Sequence, residues 1–310
     1  MLTQFICPDG GKINISECID NKGCRLKKRC LTKATLVELA KVRPWKGVPS
    51  TTQLLNGTYE AMLKIKHDYA ESPQSMMFRL LGTRVHNGLE GEDIDGSMME
   101  EELQMVTSHG ISMRPDLLEM EDDWNILTDY KVCGAFKVNK ALGMYSVLEE
   151  SKTEVYKVSA KVKDPETGVE IHRKPGQPKL IKKWSNDINK QDCDDWVKQL
   201  NYYRIGLQEQ GYRIDEMRIE AIVRDGGLVV AREYGIQDGV YLIPIPKIDD
   251  NIIISYFSKK KEDLLKAVEQ GDWEYQCNQE ECWGGNKCRL RDNGKSYCSV
   301  RDFCKFMVGK

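Results

Sequence analysis

Residues 114–131, RPDLLEMEDDWNILTDYK, decide the fold of this chain. The apolar runs on either side of the polar MEDDW turn predict two antiparallel strands, ISMRPDLLE and NILTDYKV, joined as a hairpin. Asp116 then lies on one strand, and Asp129 and Lys131 lie on the other. Because residues two apart on a strand point to the same face, Asp129 and Lys131 are predicted to project side by side.

The three charged residues of this hairpin define a candidate chemistry. Carboxylates bind divalent cations, and a neighbouring ammonium supplies a fixed positive charge. Phosphodiester hydrolysis uses these groups, because the metal polarises the phosphoryl group and activates a bound water while the cation stabilises developing charge. An isolated Asp-x-Lys is also typical of an exposed strand with alternating charges. The hairpin therefore indicates metal-dependent hydrolysis only in combination with further motifs.

Helices and strands alternate around the hairpin. The helices, predicted from apolar spacing and capping signals, cover residues 32–42, 75–91, 192–212 and 256–273, with a further helix from Ser50. Residues 102–111 look extended, and residues 213–235 predict two strands around an Asp-Gly-Gly turn. The predicted fold class is α/β or α+β, with a central mixed β-sheet flanked by helices.

The near-neutral net charge of −2 conceals a strong charge pattern. Residues 1–47 hold ten Lys or Arg against four acids, and residues 155–190 hold nine against four. Residues 88–129 hold thirteen acids against Arg114 alone. A neutral total argues against a nucleic-acid partner, but the basic segments suit a phosphate backbone and the acidic segment suits a divalent cation. Each charge run is also typical of a solvated face.

The chain length and its amino terminus indicate a soluble protein. Its 310 residues suffice to bury a core in one large domain or two modest ones without cross-links. MLTQFICPDGGK lacks the charged and apolar regions of a secretion signal, and no run approaches the roughly 18 apolar residues that span a bilayer. We therefore expect a cytoplasmic location, where cysteines more often bind metals than form disulfides.

The eleven cysteines fall into two terminal groups and two isolated residues. The amino-terminal group is Cys7, Cys18, Cys24 and Cys30, and the carboxy-terminal group is Cys277, Cys282, Cys288, Cys298 and Cys304. Four thiolates satisfy zinc, so each end is a candidate metal site, with scattered buried thiols as the alternative. Cys133 and Cys193 stand alone and are predicted to be inert core thiols.

Three motifs resemble those of one enzyme superfamily. Pro115-Asp116 followed after twelve residues by Asp129-Tyr130-Lys131 resembles the PD-(D/E)XK nuclease signature, with Asp as the second acid. Upstream, GTRVHNGLE resembles a helix of RecB-type nucleases, and downstream Gln199 and Tyr203 resemble their Q-x-x-x-Y motif. The similarity covers roughly residues 48–304 and is to RecB-like and CRISPR-associated exonucleases.

The resemblance implies a restriction-endonuclease-like core and a divalent-metal-dependent DNA nuclease, an exonuclease acting on ends or single strands. It implies Mn²⁺ or Mg²⁺ held by His86, Asp116, Asp129 and the Tyr130 backbone carbonyl. Lys131 is then catalytic, and Gln199 and Tyr203 position DNA or brace the lysine. A lone helical histidine and an aromatic stripe with Trp196 are also typical of a protein core. Glu100, Glu101 and Glu102 are expected to be solvated rather than to contact metal through water.

The cysteines depart from the family pattern. Iron–sulfur members place one cysteine just after the opening helix, whereas the helix from Ser50 has none, and nine residues separate Cys288 from Cys298. We favour Zn²⁺ at the amino-terminal group. Zn²⁺ or a [4Fe-4S] cluster at Cys282, Cys288, Cys298 and Cys304, with Cys277 as a fifth candidate, stays open, as does a cluster joining both ends.

The long spacing between Lys131 and Gln199 indicates an insertion at about residues 140–190. VYKVSAKVKDPETGVEIHRK predicts a hairpin, and we expect a flap that follows phosphates. Its candidate contacts are Lys157, Lys161, Lys163, Arg173, Lys174, Lys182 and Lys183. The predicted organisation is a basic cysteine-rich module at 1–47, a nuclease core at 48–276 and a cysteine-rich segment at 277–310.

The motifs also indicate the partners of the chain and leave alternative functions open. The expected partner is DNA, as single strands or duplex ends, with recombination, phage or CRISPR-associated proteins as further partners and no membrane. The competing hypothesis is a zinc-containing, non-catalytic DNA-binding or assembly module on a nuclease fold. An RNA nuclease is not distinguished, because contacts to the 2′-hydroxyl are not legible in the sequence.

Overall fold

The structure is a computed structural model. It describes all residues except 21, 23, 25, 27, 28, 90–96, 100–102, 122, 291–295 and 308–310. The predicted solvated residues Glu100, Glu101 and Glu102 lie outside the described residues. No helix in the described part of the chain is both long and apolar enough to cross a membrane.

Strands are distributed along most of the chain. They are β1 Leu2–Ile6, β2 Lys12–Asn14, β3 Tyr69–Glu71, β4 Ser97–Met99, β5 Met105–Val106, β6 Ser112–Met113, β7 Leu117–Glu121, β8 Trp124–Cys133, β9 Met144–Val155, β10 Ala160–Lys163, β11 Glu170–Arg173, β12 Pro178–Asn186, β13 Glu216–Val223 and β14 Val240–Pro244.

Helices alternate with these strands. They are α1 Ile15–Ile19, α2 Lys33–Leu39, α3 Thr51–Leu54, α4 Thr58–Lys66, α5 Met77–Leu89, α6 Ala135–Ala141, α7 Asp194–Glu209, α8 Val229–Glu233 and α9 Asp250–Gln270, with short 3-10 helices at Ile188–Lys190 and Arg301–Phe303. The fold is therefore α+β with mixed sheets, as the alternating pattern predicts.

The chain divides into two compact units. Unit 1 contains Met1–Thr128, Val197–Met217 and Pro246–Lys310, and unit 2 contains Asp129–Trp196 and Arg218–Ile245. The predicted domain boundaries after residues 47 and 276 both fall inside unit 1.

Unit 1 begins with a three-stranded sheet, in which β1 pairs antiparallel with β2 and parallel with β3. Phe5 of β1 and Leu36 of α2 are buried in its core. The Thr32 hydroxyl accepts a hydrogen bond from the Thr35 N–H and caps α2, which satisfies a backbone donor at the helix start. Ser50 caps α3 in the same way, so both predicted helix starts are confirmed.

The main core of unit 1 lies between helices. α9 packs against α3 and α4, and the ring centroids of Tyr202 and Phe257 are 4.4 Å apart. α9 starts at Asp250, earlier than predicted, because Asp249 caps it by accepting from the Asn251 N–H. It ends at Gly271, whose φ of 71° gives the left-handed cap that glycine adopts without strain.

The hairpin of β7 and β8 is confirmed. The strands are antiparallel, with Leu117 paired to Thr128 at one end and Glu121 to Trp124 at the other. One detail differs from the prediction. Asp116 precedes β7 instead of lying on it, because the ladder starts with the Leu117–Thr128 pair. Pro115, which has no N–H to donate, cannot extend that ladder.

The segment before the hairpin is less extended than predicted. β5 and β6 are two-residue strands that pair with each other, so Ser112 and Met113 do not continue into β7. A tight turn joins them, in which the Thr107 N–H donates to the Ile111 carbonyl at 3.0 Å. Gly110 takes a φ of 68° in this turn, a conformation that interrupts an extended strand.

Unit 2 contains three groups of strands. β14, β13 and β8 are neighbours, in that order, in one sheet. β9 pairs with β12, and β10 pairs with β11. The prediction of two strands around the Asp-Gly-Gly turn was wrong in its second half. Residues Val229–Glu233 form α8, because β13 pairs with β14 instead, with Ile222 opposite Val240. A distant partner has overridden the local β preference of the Leu-Val-Val sequence.

Candidate functional site

His86 and Asp116 are neighbours within unit 1. His86 lies on α5, as the helical spacing predicts, and its Nδ1 is 3.3 Å from Oδ1 of Asp116. Asp116 is buried, and His86 is partly exposed. A carboxylate beside one imidazole nitrogen fixes the ring orientation and leaves Nε2 for a metal or a proton. Two of the predicted metal ligands are therefore brought together.

Asp129 and Lys131 are neighbours within unit 2. Both lie on β8, and their side chains form an ion pair, so the predicted shared face is confirmed. Asp129 is only 1% exposed, whereas the Lys131 side chain is partly exposed. Tyr130 between them is buried and points to the opposite face, which leaves its backbone carbonyl as the predicted ligand.

The hairpin register relates the two acids along the chain. Leu117 and Thr128 form one pair of the ladder. Asp116 directly precedes Leu117, and Asp129 directly follows Thr128. Each acid is therefore the chain neighbour of one member of this pair.

Gln199 and Tyr203 are hydrogen-bonded on α7. Gln199 Nε2 donates to the Tyr203 hydroxyl at 2.9 Å, and both side chains are buried. Residues four apart share a helix face, which places the two side chains next to each other. The contact fixes the orientation of both polar groups.

The amino-terminal cysteines lie near one another in unit 1. Burial raises the pKa of Cys18, and the nearby Cys30, Cys7 and Cys24 thiols raise it further. Cys7 is buried in the core under β1, and its backbone forms a turn in which the Gly10 N–H donates to the Cys7 carbonyl at 2.9 Å. Gly10 has a φ of 85°, as expected for a tight turn between Cys7 and Cys18.

The carboxy-terminal cysteines also form one neighbourhood. Burial raises the pKa of Cys288, and Cys277, Cys282 and Cys304 raise it further. Burial also raises the pKa of Cys277 to about 11 and that of Cys298 to about 12. Thiols with such pKa values are protonated at neutral pH, and metal binding must displace those protons.

A buried ion-pair network borders this second cysteine group, and sequence reasoning missed it. Glu60 on α4 is 4% exposed, and it pairs with Lys64 at 2.8 Å and Lys287 at 2.6 Å. Nearby, Lys260 of α9 pairs with Glu281 at 2.6 Å. The Glu60–Lys64 spacing is visible in the sequence, but the distant Lys287 gives no local signal.

The donor atoms of these residues are of types that suit particular metals. Imidazole and carboxylate suit Mn²⁺ or Mg²⁺, and thiolates suit Zn²⁺ or an iron–sulfur cluster. In the described ranges, however, no group of three or more His, Cys, Asp or Glu side chains is arranged to hold a metal ion.

Cys133 and Cys193 have the properties of inert thiols. Burial raises the pKa of each to about 11, so neither is a thiolate at neutral pH.

The predicted hairpin in the basic insertion is confirmed by the antiparallel pairing of β10 and β11. Several of its expected phosphate contacts are engaged with acids of unit 2. Lys161 pairs with Glu170 at 3.2 Å, Arg173 with Glu150 at 2.9 Å, and Lys183 with Glu149. Lys182 lies 4.1 Å from the Trp184 ring centroid. Among the described residues, Lys157, Lys163 and Lys174 make no ion pair.

Comparison with known proteins leaves the family unassigned. No family model matches the chain, and no curated protein matches it significantly. A solved structure titled "Crystal structure of SSO0001" is similar over 74% of this chain and 81% of that chain, with 12% sequence identity and a TM-score of 0.32. A TM-score this low supports no conclusion about function.

Proposed function

We propose that the chain is a divalent-metal-dependent DNA nuclease, an exonuclease that acts on ends or single strands. The observation that carries the proposal is the 3.3 Å approach of His86 Nδ1 to Asp116 Oδ1. These residues belong to two motifs that are thirty positions apart in the sequence. Their proximity supports the resemblance, because both motifs have to contribute to one site if they bind the same metal.

The proposed roles follow from the chemistry of each side chain. His86, Asp116, Asp129 and the Tyr130 carbonyl are assigned as ligands of Mn²⁺ or Mg²⁺. When bound, such a metal polarises the phosphoryl group and lowers the pKa of a coordinated water. Lys131 is assigned to stabilise charge on the phosphate. Asp129 holds the Lys131 ammonium close to the strand, which limits its rotamers before substrate arrives.

The experiment measures nucleotide release from single-stranded and duplex DNA with Mn²⁺, with Mg²⁺ or after chelation. Wild type is expected to release nucleotides only with metal, and Lys131→Ala to lose that activity. Lys140→Ala is the matched control, because Lys140 also pairs with an aspartate, Asp192, at 2.6 Å in unit 2. Activity of Lys131→Ala equal to that of Lys140→Ala contradicts the proposed role, and activity after chelation contradicts the metal requirement.

We further propose structural metal sites at the two cysteine groups. Zn²⁺ is assigned to Cys7, Cys18, Cys24 and Cys30, and either Zn²⁺ or a [4Fe-4S] cluster to the carboxy-terminal group. Support comes from the mutual proximity of the thiols in each group. Metal analysis and visible absorbance of anaerobically purified protein test this, because an iron–sulfur cluster is coloured and zinc is not. Protein that folds without either metal contradicts both assignments.

A second candidate is a zinc-containing, non-catalytic DNA-binding or assembly module on a nuclease fold. The mutual proximity of the amino-terminal thiols favours the zinc site that this candidate requires. The two candidates differ in the nuclease assay. Retained DNA binding without nucleotide release from DNA or RNA supports the binding module.

A further inference from the structure

Trp283 is held in an unusual backbone conformation. Its φ is 52°, and the next two residues, Gly284 and Gly285, also have positive φ values of 63° and 89°. Glycine adopts this left-handed region without strain, but a bulky side chain rarely does. Among the described residues, Trp283 is the one non-glycine residue with a positive φ. The turn is closed by the Gly284 N–H, which donates to the Gln279 carbonyl at 2.7 Å.

Burial of the indole does not offset this strain. Trp283 is 54% exposed, although fully burying an aromatic ring would contribute favourable free energy. Its ring centroid lies 5.5 Å from that of Tyr297, which is itself 57% exposed. A strained residue that presents its ring to solvent indicates a role outside the fold, because strain of this kind concentrates at binding sites.

Cationic side chains lie close to Trp283 in the chain. The Lys287 ammonium is 5.3 Å from the Trp283 ring centroid, but it is buried and paired with Glu60 at 2.6 Å. Cys282 and Gly285, which flank Trp283 closely in the chain, line a cavity together with Arg289 and Arg301. Arg289 is exposed. Exposed aromatic rings next to cationic side chains are the combination with which proteins hold unpaired nucleic-acid strands.

We propose that Trp283 and Tyr297 form a stacking platform for an unpaired nucleobase, with Arg289 beside the adjoining phosphate. The occupant is a single-stranded nucleic acid, because a ring platform needs a free base face and the arginine needs an anion. The proposal rests on the proposed nuclease function and deepens it, since it assigns the form of substrate that the chain holds. A duplex offers no free base face along its length and is not expected to use the platform.

The experiment compares Trp283→Gly and Trp283→Phe in anisotropy titrations with labelled oligothymidylate, without added divalent metal. Trp283→Gly is expected to bind about tenfold more weakly, and Trp283→Phe to stay close to wild type because a ring remains. Tyr275→Ala is the matched control, because Tyr275 is an equally exposed aromatic residue on the same segment that contacts Trp273. Binding of a blunt duplex is expected to be the same in all variants.

Two further measurements separate binding from folding. Thermal unfolding of Trp283→Gly is expected at or above the wild-type temperature, because glycine relieves the left-handed strain. Indole fluorescence of wild type should fall on adding oligothymidylate by more than that of Trp283→Phe. This comparison does not depend on the stability of the glycine variant.

The proposal is overturned by any of three results. The first is that Trp283→Gly binds single strands as tightly as wild type. The second is that Trp283→Gly and Tyr275→Ala lose the same affinity for single strands. The third is that wild type binds no single strand, an outcome that would assign the two rings to a protein partner instead. The nuclease proposal fails separately. If Trp283→Gly binds weakly and wild type still releases no nucleotides with Mn²⁺, the platform stands and the nuclease assignment does not.

Discussion

Nδ1 of His86 lies 3.3 Å from Oδ1 of Asp116, which joins the last turn of α5 to the residue that precedes β7. α5 has no fully buried residue, and Leu80 and Arg79 hold it against the amino-terminal part of unit 1. The contact with the buried Asp116 carboxylate adds to these and orients the His86 ring. Such a contact determines which imidazole nitrogen is presented to a ligand.

We predict that His86→Ala lowers metal-dependent nucleotide release by about 10–100-fold, which is the usual effect of losing a ligand or the group that orients it. The measurement is initial nucleotide release over a range of Mn²⁺ concentrations. A loss that higher Mn²⁺ partly restores is expected if His86 binds the metal. His172→Ala is the control, because His172 is an exposed histidine in the insertion. Full activity of His86→Ala would remove this residue from the site.

A second prediction concerns the basic insertion. Lys163→Glu combined with Lys174→Glu should weaken DNA binding and flatten its salt dependence, because neither lysine makes an ion pair among the described residues. Each lost phosphate contact with a single strand reduces the slope of log affinity against log salt by about 0.7. The measurement is affinity at several salt concentrations.

The matched control for the insertion is Lys161→Glu. Lys161 is 3.2 Å from Glu170, which already neutralises part of its charge. Reversing the charge of Lys161 should therefore change the slope of log affinity against log salt less than reversing the charge of a lysine that makes no ion pair. Equal slopes for wild type and the double variant would show that the insertion does not follow phosphates.

Local patterns predict the parts of this structure that depend on neighbours in sequence. The Ser50 and Thr32 caps, the hairpin of β7 and β8, and the Gln199–Tyr203 contact all involve residues close along the chain. Local patterns fail where a distant partner decides the outcome. At α8, for example, β13 pairs with β14 and not with the strand predicted after the Asp-Gly-Gly turn. Glu149, which engages Lys183, lies on β9, and this pairing depends on a β9–β12 register that the basic run itself does not encode.

A third prediction concerns the buried Glu60. Burial alone would raise its pKa, but the charges of Lys64 and Lys287 outweigh burial and lower the pKa below its usual value. A carboxylate with a lowered folded-state pKa stabilises the fold above its unfolded-state pKa, and this contribution is lost as pH falls through the folded-state pKa. The free energy of unfolding should therefore fall as the pH drops below about 4.5.

Substitution of Glu60 separates its contribution to the free energy of unfolding from the contributions of other acids. Glu60→Gln leaves Lys287 buried without its counter-charge and should destabilise the chain by about 3–5 kcal/mol at neutral pH. Part of the acid dependence of stability should vanish with it. Glu154→Gln is the control, because Glu154 is fully exposed and pairs with Lys179 at 2.8 Å. Urea unfolding at neutral and acid pH measures both effects, and an unchanged acid dependence in Glu60→Gln would contradict the assignment.

The final prediction concerns the close approach of Cys277 to the start of α4. A Cβ atom placed on Gly57 would lie 2.5 Å from the Cys277 sulfur, closer than real contacts allow. Gly57 has a φ of −59°, so alanine there is compatible with the backbone and the clash is the whole effect. Gly57→Ala should therefore destabilise the chain by about 1–3 kcal/mol.

Because the sulfur is the clashing atom, Gly57→Ala should be much less destabilising in a Cys277→Ala background, where that atom is absent. Urea unfolding of the two single variants and the double variant measures this coupling. Additive effects would show that Cys277 does not lie against Gly57.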